Sequence, residues 1–212
     1  MKSTHEALFS FAVALLLMGS GREAPAQDAA MDHTHMHHAA PAESAMVRSE
    51  HEYFEPDAML KDTQGRNVAL RPLLEANQPV MIDFIYTSCT AVCPLLTETF
   101  AEVQRQLGPD ASGLRMVSIS IDPEFDTPKV LAAYAQNFHP GAQWRFLTGN
   151  PSDIAEIQRA FDAFKANKMD HQAIILIRAS KGKPWVRFEG LVSPAVLLAE
   201  YRAMPRPAPG SE

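Results

Sequence analysis

Apolar residues fall in short blocks separated by turn residues. Val80-Met81-Ile82-Asp83-Phe84-Ile85-Tyr86 is largely apolar and reads as a buried strand. Leu114 to Ile121 reads as a second strand of the same kind, and Trp144-Arg145-Phe146-Leu147 as a short third. Between them the spacing predicts helices over Pro94 to Leu107, stopped by Gly108-Pro109, and over Pro128 to Phe138, with Thr127 as cap. Pro151 to Lys165 reads as an amphipathic helix, with Asn150 or Ser152 near its cap. Upstream, Met59 to Leu70 reads as a hairpin turning near Gln64-Gly65. Downstream, strands Ala173 to Arg178 and Val186 to Glu189 flank the turn Ser180 to Pro184, and Ser193 to Met204 is a closing helix. Strand–helix alternation followed by a hairpin and a helix predicts an α/β sandwich, with a mixed central β-sheet and flanking helices.

The ends of the chain break this pattern. Lys2 precedes the apolar run Ala7 to Met18, and Ala24-Pro25-Ala26 fits a small-residue cleavage site, so residues 1–26 read as a secretory signal peptide. The run is shorter than the roughly 20 residues of a spanning helix. If uncleaved, it would be a tether. Residues 27–53 read as a disordered linker rich in His and Met, the domain as 54–204, and 205–212 as a Pro-rich tail. Within the linker, His33, His35, Met36, His37 and His38 carry imidazole and thioether donors that suit auxiliary metal capture, or simply a solvated tail. The whole sequence has 212 residues and a formal net charge of -6, with Lys and Arg scattered, which gives no reason to expect nucleic-acid binding.

The chemistry concentrates in Tyr86-Thr87-Ser88-Cys89-Thr90-Ala91-Val92-Cys93-Pro94, which holds the only two cysteines. They sit where a buried strand enters a helix, and a helix N-terminus lowers a thiol pKa. Such a pair can share a soft metal ion or close a redox disulfide. A cysteine pair after the first core strand is the thioredoxin-like arrangement. In that fold the loop before strand Ala173 to Arg178 faces the cysteine turn. Disulfide oxidoreductases usually place a proline there, and this chain has His171. His139, at a helix end in Phe138-His139-Pro140, reads as structural. Two thiolates and an imidazole form a donor set for copper, as Cu(I) and as Cu(II), with zinc as competitor.

Three motifs then carry a family resemblance. Thr87-Ser88-Cys89-x-x-x-Cys93-Pro94, Ser120-Ile121-Asp122-Pro123-Glu124-Phe125-Asp126-Thr127-Pro128, and Asp170-His171 before the last apolar block occur in order. Over about Phe54 to Met204 the chain resembles the Sco/SenC proteins, named for synthesis of cytochrome c oxidase. The resemblance implies a thioredoxin-like domain that binds one copper through Cys89, Cys93 and His171. It implies delivery of copper, or of reducing equivalents, to the dinuclear copper site of cytochrome c oxidase subunit II, or to another exported copper protein, with a thiol reductant as second partner. Export implies a periplasmic location. Thr90-Ala91 stand where many members have Pro-Asp, and Gln172 where many have Thr. The aspartates of the middle motif would fix their loop and cap the next helix, or form an acidic docking rim.

A copper chaperone and a thiol-disulfide oxidoreductase acting on a periplasmic metalloprotein both fit an exported Cys–Pro helix start, and His171 favours copper. A thiol peroxidase would need proline at 82 and threonine at 86, where the chain has Ile82 and Tyr86.

Overall fold

A computed structural model describes residues 46–205. The expected signal peptide, the His33–His38 cluster and most of the Pro-rich tail lie outside the described residues. Eight strands form one sheet: β1 (Val47–His51), β2 (Met59–Asp62), β3 (Asn67–Ala69), β4 (Val80–Ile85), β5 (Arg115–Ser120), β6 (Trp144–Thr148), β7 (Ile174–Arg178) and β8 (Trp185–Glu189). Five helices accompany them: α1 (Leu70–Leu74), α2 (Val92–Leu107), α3 (Pro128–Gln136), α4 (Pro151–Ala160) and α5 (Pro194–Ala203). The strand order is β1-β8-β7-β4-β5-β6-β2-β3. Strands β4, β5 and β6 run parallel, and the other pairings are antiparallel.

Every residue of β4 is buried, because helices cover both of its faces. Alternate residues divide between two cores. Met81 and Ile85 pack with Leu96, Phe100 and Val103 of α2 and with Leu197 and Leu198 of α5. Val80, Ile82 and Phe84 pack with Leu73 and Leu74 of α1 and with Ile154 and Ile157 of α4. Together these side chains remove most of the central apolar surface from water, the main favourable contribution to folding.

The hairpin forms as expected. Asp62 accepts from Gln64 N–H and Arg66 N–H at 2.9 and 3.0 Å, and Gly65 supplies the left-handed turn position at φ 76°. Thr127, Asn150 and Ser193 each accept an N–H of the helix they precede. His139 adopts φ 48° beyond α3, and its carbonyl accepts from Gln104 Nε2 at 3.0 Å.

Three differences from the sequence reading have physical causes. The fold begins before Phe54: residues 47–51, expected as linker, form β1 against β8, with Arg48 bridged to Glu200 of α5. Helix α4 stops at Ala160 rather than Lys165. Arg187 Nη1 donates to the Phe161 carbonyl at 2.8 Å and Nη2 to the Asp162 carbonyl at 3.3 Å, ending the helix with a buried cation. Helix α2 starts at Val92, not Pro94, which places Cys93 inside its first turn. Among the described residues no helix is long and apolar enough to cross a membrane.

One charged side chain interrupts the central strand. Asp83 is fully buried on the α2 face, and neither carboxylate oxygen has a hydrogen-bond partner. Burial pushes its acid up to about 7, an effect partly offset by Ser118 across the β4–β5 pair. The folded value lies above the unfolded value of about 3.9, so the folded state holds the proton more tightly. Stability is therefore fullest below about pH 4 and is lost as pH rises through about pH 7. Asp83→Asn removes this ionisation. Urea titrations should show the variant gaining on the parent between about pH 4 and pH 7, by about 4 kcal/mol at the plateau. Parallel pH profiles for the two proteins would refute a titrating Asp83.

Candidate metal centre

The site lies at the C-terminal end of β4. The chain leaves that strand at Tyr86, passes Thr87 and Ser88, and re-enters regular structure at Val92. No side chain of the conventional capping type serves α2, whose N-cap is Ala91. Instead Cys93 N–H donates to Cys89 Sγ at 3.5 Å. Cys89 thus takes the place of a capping oxygen, at the positive end of a helix of 16 residues. One turn further along α2, Thr97 Oγ1 donates to the Cys93 carbonyl at 2.9 Å and lies 2.8 Å from the Tyr134 hydroxyl.

Both cysteines are free thiols and both are buried, yet their acidities diverge. Burial alone would raise the Cys89 pKa. Hydrogen bonds from the backbone at Cys93 and Ala91 and contacts with the Cys93 and Tyr86 side chains overcome it and hold Cys89 below the ordinary thiol value. Cys93 is pushed well above that value, first by burial and then by the neighbouring Cys89 and Asp83. Cys89 is the more acidic thiol, and Cys93 is the guarded one.

His171 reaches this turn through strand register. Strands β4 and β7 pair antiparallel from Val80↔Arg178 to Asp83↔Ile175, so the C-terminal end of β4, which leads to the cysteines, lies beside the N-terminal end of β7, which His171 precedes. The imidazole Nε2 lies 2.8 Å from the Phe84 carbonyl. A carbonyl only accepts, so Nε2 carries the proton and Nδ1 the lone pair. Nδ1 is buried and has no hydrogen-bond partner. Burial, opposed by the Phe84 bond and reinforced by Lys165, lowers the His171 pKa and keeps the ring neutral. The Tyr86 and His171 rings meet edge-on at 6.5 Å. His171 also shares a cavity of about 450 Å³ with Val92, Val47 and Leu191.

A neutral imidazole with a fixed tautomer and an unused buried lone pair, beside an acidified thiol, fits a soft or borderline cation such as copper. The three donors are neighbours rather than a finished cage. Among the described residues no three His, Cys, Asp or Glu side chains lie close enough together to hold an ion. Gathering them around one ion takes side-chain movement.

The middle motif works mainly inside the protein. Asp126 is fully buried; it accepts from Thr87 N–H at 3.0 Å, from the Thr87 hydroxyl, and from Ser120 Oγ at 2.6 Å. It therefore fixes the cysteine loop, while Thr127 caps α3. Asp122 pairs with Lys168 Nζ at 2.5 Å, which ties the same loop to the turn before His171. Both aspartates are thus held by other segments of the chain.

Sequence reasoning missed Asp83, Tyr86 and Met169. Asp83 carried a visible signal, a lone carboxylate in an apolar strand. Tyr86 is almost fully buried, and burial first, then the neighbouring Cys89, raise its phenol to about 12, so it stays a donor. Its hydroxyl donates to Met169 Sδ at 3.7 Å. No local pattern announces that contact.

Two outcomes test this geometry. Asp126→Ala strands the Thr87 and Ser120 donors and should destabilise the domain by about 2–4 kcal/mol in denaturant titrations. A loss under about 0.5 kcal/mol would mean that the loop holds without Asp126. In the reduced protein, iodoacetamide should modify Cys89 well before Cys93, with the Cys89 rate inflecting below the ordinary thiol value, as mass mapping of the two positions would show. Equal labelling of both cysteines would contradict the assigned asymmetry.

Comparison with known proteins agrees with this arrangement. The SCO1/SenC family model matches residues 46–205. The SCO1 protein homolog of Bacillus subtilis (strain 168) is 31% identical over 141 residues, covering 62% of this chain and 71% of that protein. The mitochondrial SCO2 homolog of Homo sapiens is 33% identical over 89 residues, covering 41% of this chain and 33% of that protein. Among solved structures, copper-bound ScoI of Bradyrhizobium japonicum matches with a TM-score of 0.61 and 28% identity, covering 72% of this chain and 99% of that one. BsSco, described as a Sco-family cytochrome c oxidase assembly protein with a disulfide switch, matches with a TM-score of 0.63 and 26% identity, covering 74% and 96%. The fold is thioredoxin-like, and the chain belongs to the SCO1/SenC family.

Proposed function

We propose that this chain is an exported copper chaperone that holds copper through Cys89, Cys93 and His171. It passes the ion to the dinuclear copper site of cytochrome c oxidase subunit II in the periplasm. The observation that carries the reading is the buried, unpartnered Nδ1 of a neutral His171 beside the acidified thiol of Cys89. Copper is cargo here, so the site must bind and also release. Separated donors, two where β4 leads into α2 and one on the turn before β7, suit that task better than a rigid cage. The likeness to copper-bound ScoI supports copper as the ion, and the leader-like residues 1–26 support export. The donor set also accommodates zinc, which the proposal ranks below copper.

A second reading, thiol-disulfide exchange with a partner, is favoured by the acidity split between Cys89 and Cys93 and by the likeness to BsSco with its disulfide switch. One acidified thiol attacks, and the buried one resolves the mixed disulfide. The two activities connect, because closing a Cys89–Cys93 bridge removes both thiolates from the metal.

The reduced protein should bind one copper tightly, and Cys89→Ala or Cys93→Ala should abolish the binding. His171→Ala should retain part of the Cu(I) binding and lose most of the Cu(II)–thiolate absorption. Thiol trapping after mild oxidation should find the apo protein bridged and the Cu(I)-loaded protein still reduced. An unchanged Cu(II) spectrum in His171→Ala removes His171 from the donor set. Equal oxidation with and without copper, together with strong disulfide reductase turnover in His171→Ala, establishes the exchange reading instead.

A further inference from the structure

Met169 is a large apolar side chain that is 70% exposed, two residues before His171. It is also held in place. The short 3-10 turn Lys168–Asp170 is fastened at both sides, Met169 N–H donating to Asn167 Oδ1 at 3.0 Å and Lys168 Nζ pairing with Asp122. Its sulfur accepts the Tyr86 hydroxyl at 3.7 Å, and the same phenol contacts the Cys89 thiol. One hydroxyl thus links an exposed sulfur to a buried one. Cys89 is only 7% exposed and Cys93 not at all, so a donor on another protein cannot meet both thiols directly.

We infer that Met169 is the landing donor through which Cu(I) enters and leaves the Cys89, Cys93 and His171 site. The inference rests on the copper reading of that site. A thioether is a soft, neutral ligand that needs no deprotonation, so it can take Cu(I) at once and hold it weakly. On release, the bond from copper to Cys89 Sγ breaks as the bond to Met169 Sδ forms. Copper stays Cu(I), no electron moves, and the freed Cys89 thiolate keeps its charge or takes a proton from water. A soft donor of the receiving protein then displaces Sδ. Entry is the same exchange reversed. Cu(II), which prefers nitrogen and oxygen donors, gains little from this route.

The test compares the parent with Met169→Leu, a swap that conserves volume at an exposed position, and with Met59→Leu as a control at another exposed methionine. Anaerobic stopped-flow should show Met169→Leu transferring Cu(I) to bicinchoninate about tenfold more slowly than the parent. Its equilibrium Cu(I) affinity should stay within about threefold, and Met59→Leu should match the parent. Cu(II) removal by a carboxylate chelator should proceed at the parental rate. In protein labelled at the methionine methyls, Cu(I) should shift the Met169 signal and leave that of Met59 in place. Parental Cu(I) rates in Met169→Leu, equal slowing of Cu(I) and Cu(II), or an unmoved Met169 signal would each overturn the inference while leaving the copper site standing. A parent that takes up no copper would overturn the site reading, and the inference with it.

Discussion

The carboxylate of Asp126 is the point from which the site is held. Fully buried, it receives three donors: the backbone and hydroxyl of Thr87, and the hydroxyl of Ser120 at the end of β5. A charge in the interior is tolerated when its lone pairs are filled in this way. Four residues earlier, Asp122 reaches Lys168. The segment between β5 and α3 therefore grips the cysteine loop on one side and the histidine turn on the other. Elements that are far apart in the chain meet because a third segment braces both.

Within that frame, the cysteines differ because of where a helix begins. Starting α2 at Val92 gives its unsatisfied N–H groups to the sulfur of Cys89 and buries Cys93 in the first turn. Two identical side chains, four positions apart, become one accessible to chemistry and one shielded from it. His171 completes the set from the opposite side, with its tautomer fixed by the Phe84 carbonyl. Backbone N–H groups acidify Cys89, a backbone carbonyl fixes the His171 tautomer, and burial raises Cys93.

The sequence made the central elements legible wherever local signals agreed. The β4 block, the Gln64-Gly65 turn and the caps Thr127 and Asn150 each match pattern to chemistry. The candidate donors were legible too, since the cysteines flank a helix start and His171 precedes an apolar strand. Strand β1 was not, because Val47-Arg48-Ser49-Glu50-His51 lacks apolar alternation, and Val47 itself is exposed. Pairing with β8 and an ion pair to α5 recruit it, and both are tertiary effects. The end of α4 was hidden for the same reason, since Arg187 lies 26 residues beyond the carbonyl that it takes. Asp126 was visible as part of a motif, but its partner Thr87 stands 39 positions earlier.

Strand β1 also guards the protein from its own copies. Beneath it, β8 carries Trp185, Val186 and Phe188, all buried, and a ladder of backbone groups satisfied by β1. Strand β1 presents a different outward character, with Arg48 and Glu50 carrying charge at the rim of the sheet. Charged outer strands discourage edge-to-edge association of sheets. A domain trimmed to begin at Phe54, where the hydrophobic pattern alone would place its start, would keep all the proposed copper donors. It would also uncover β8, with its Trp185, Val186 and Phe188 and open hydrogen-bonding groups, a template for pairing with the next molecule.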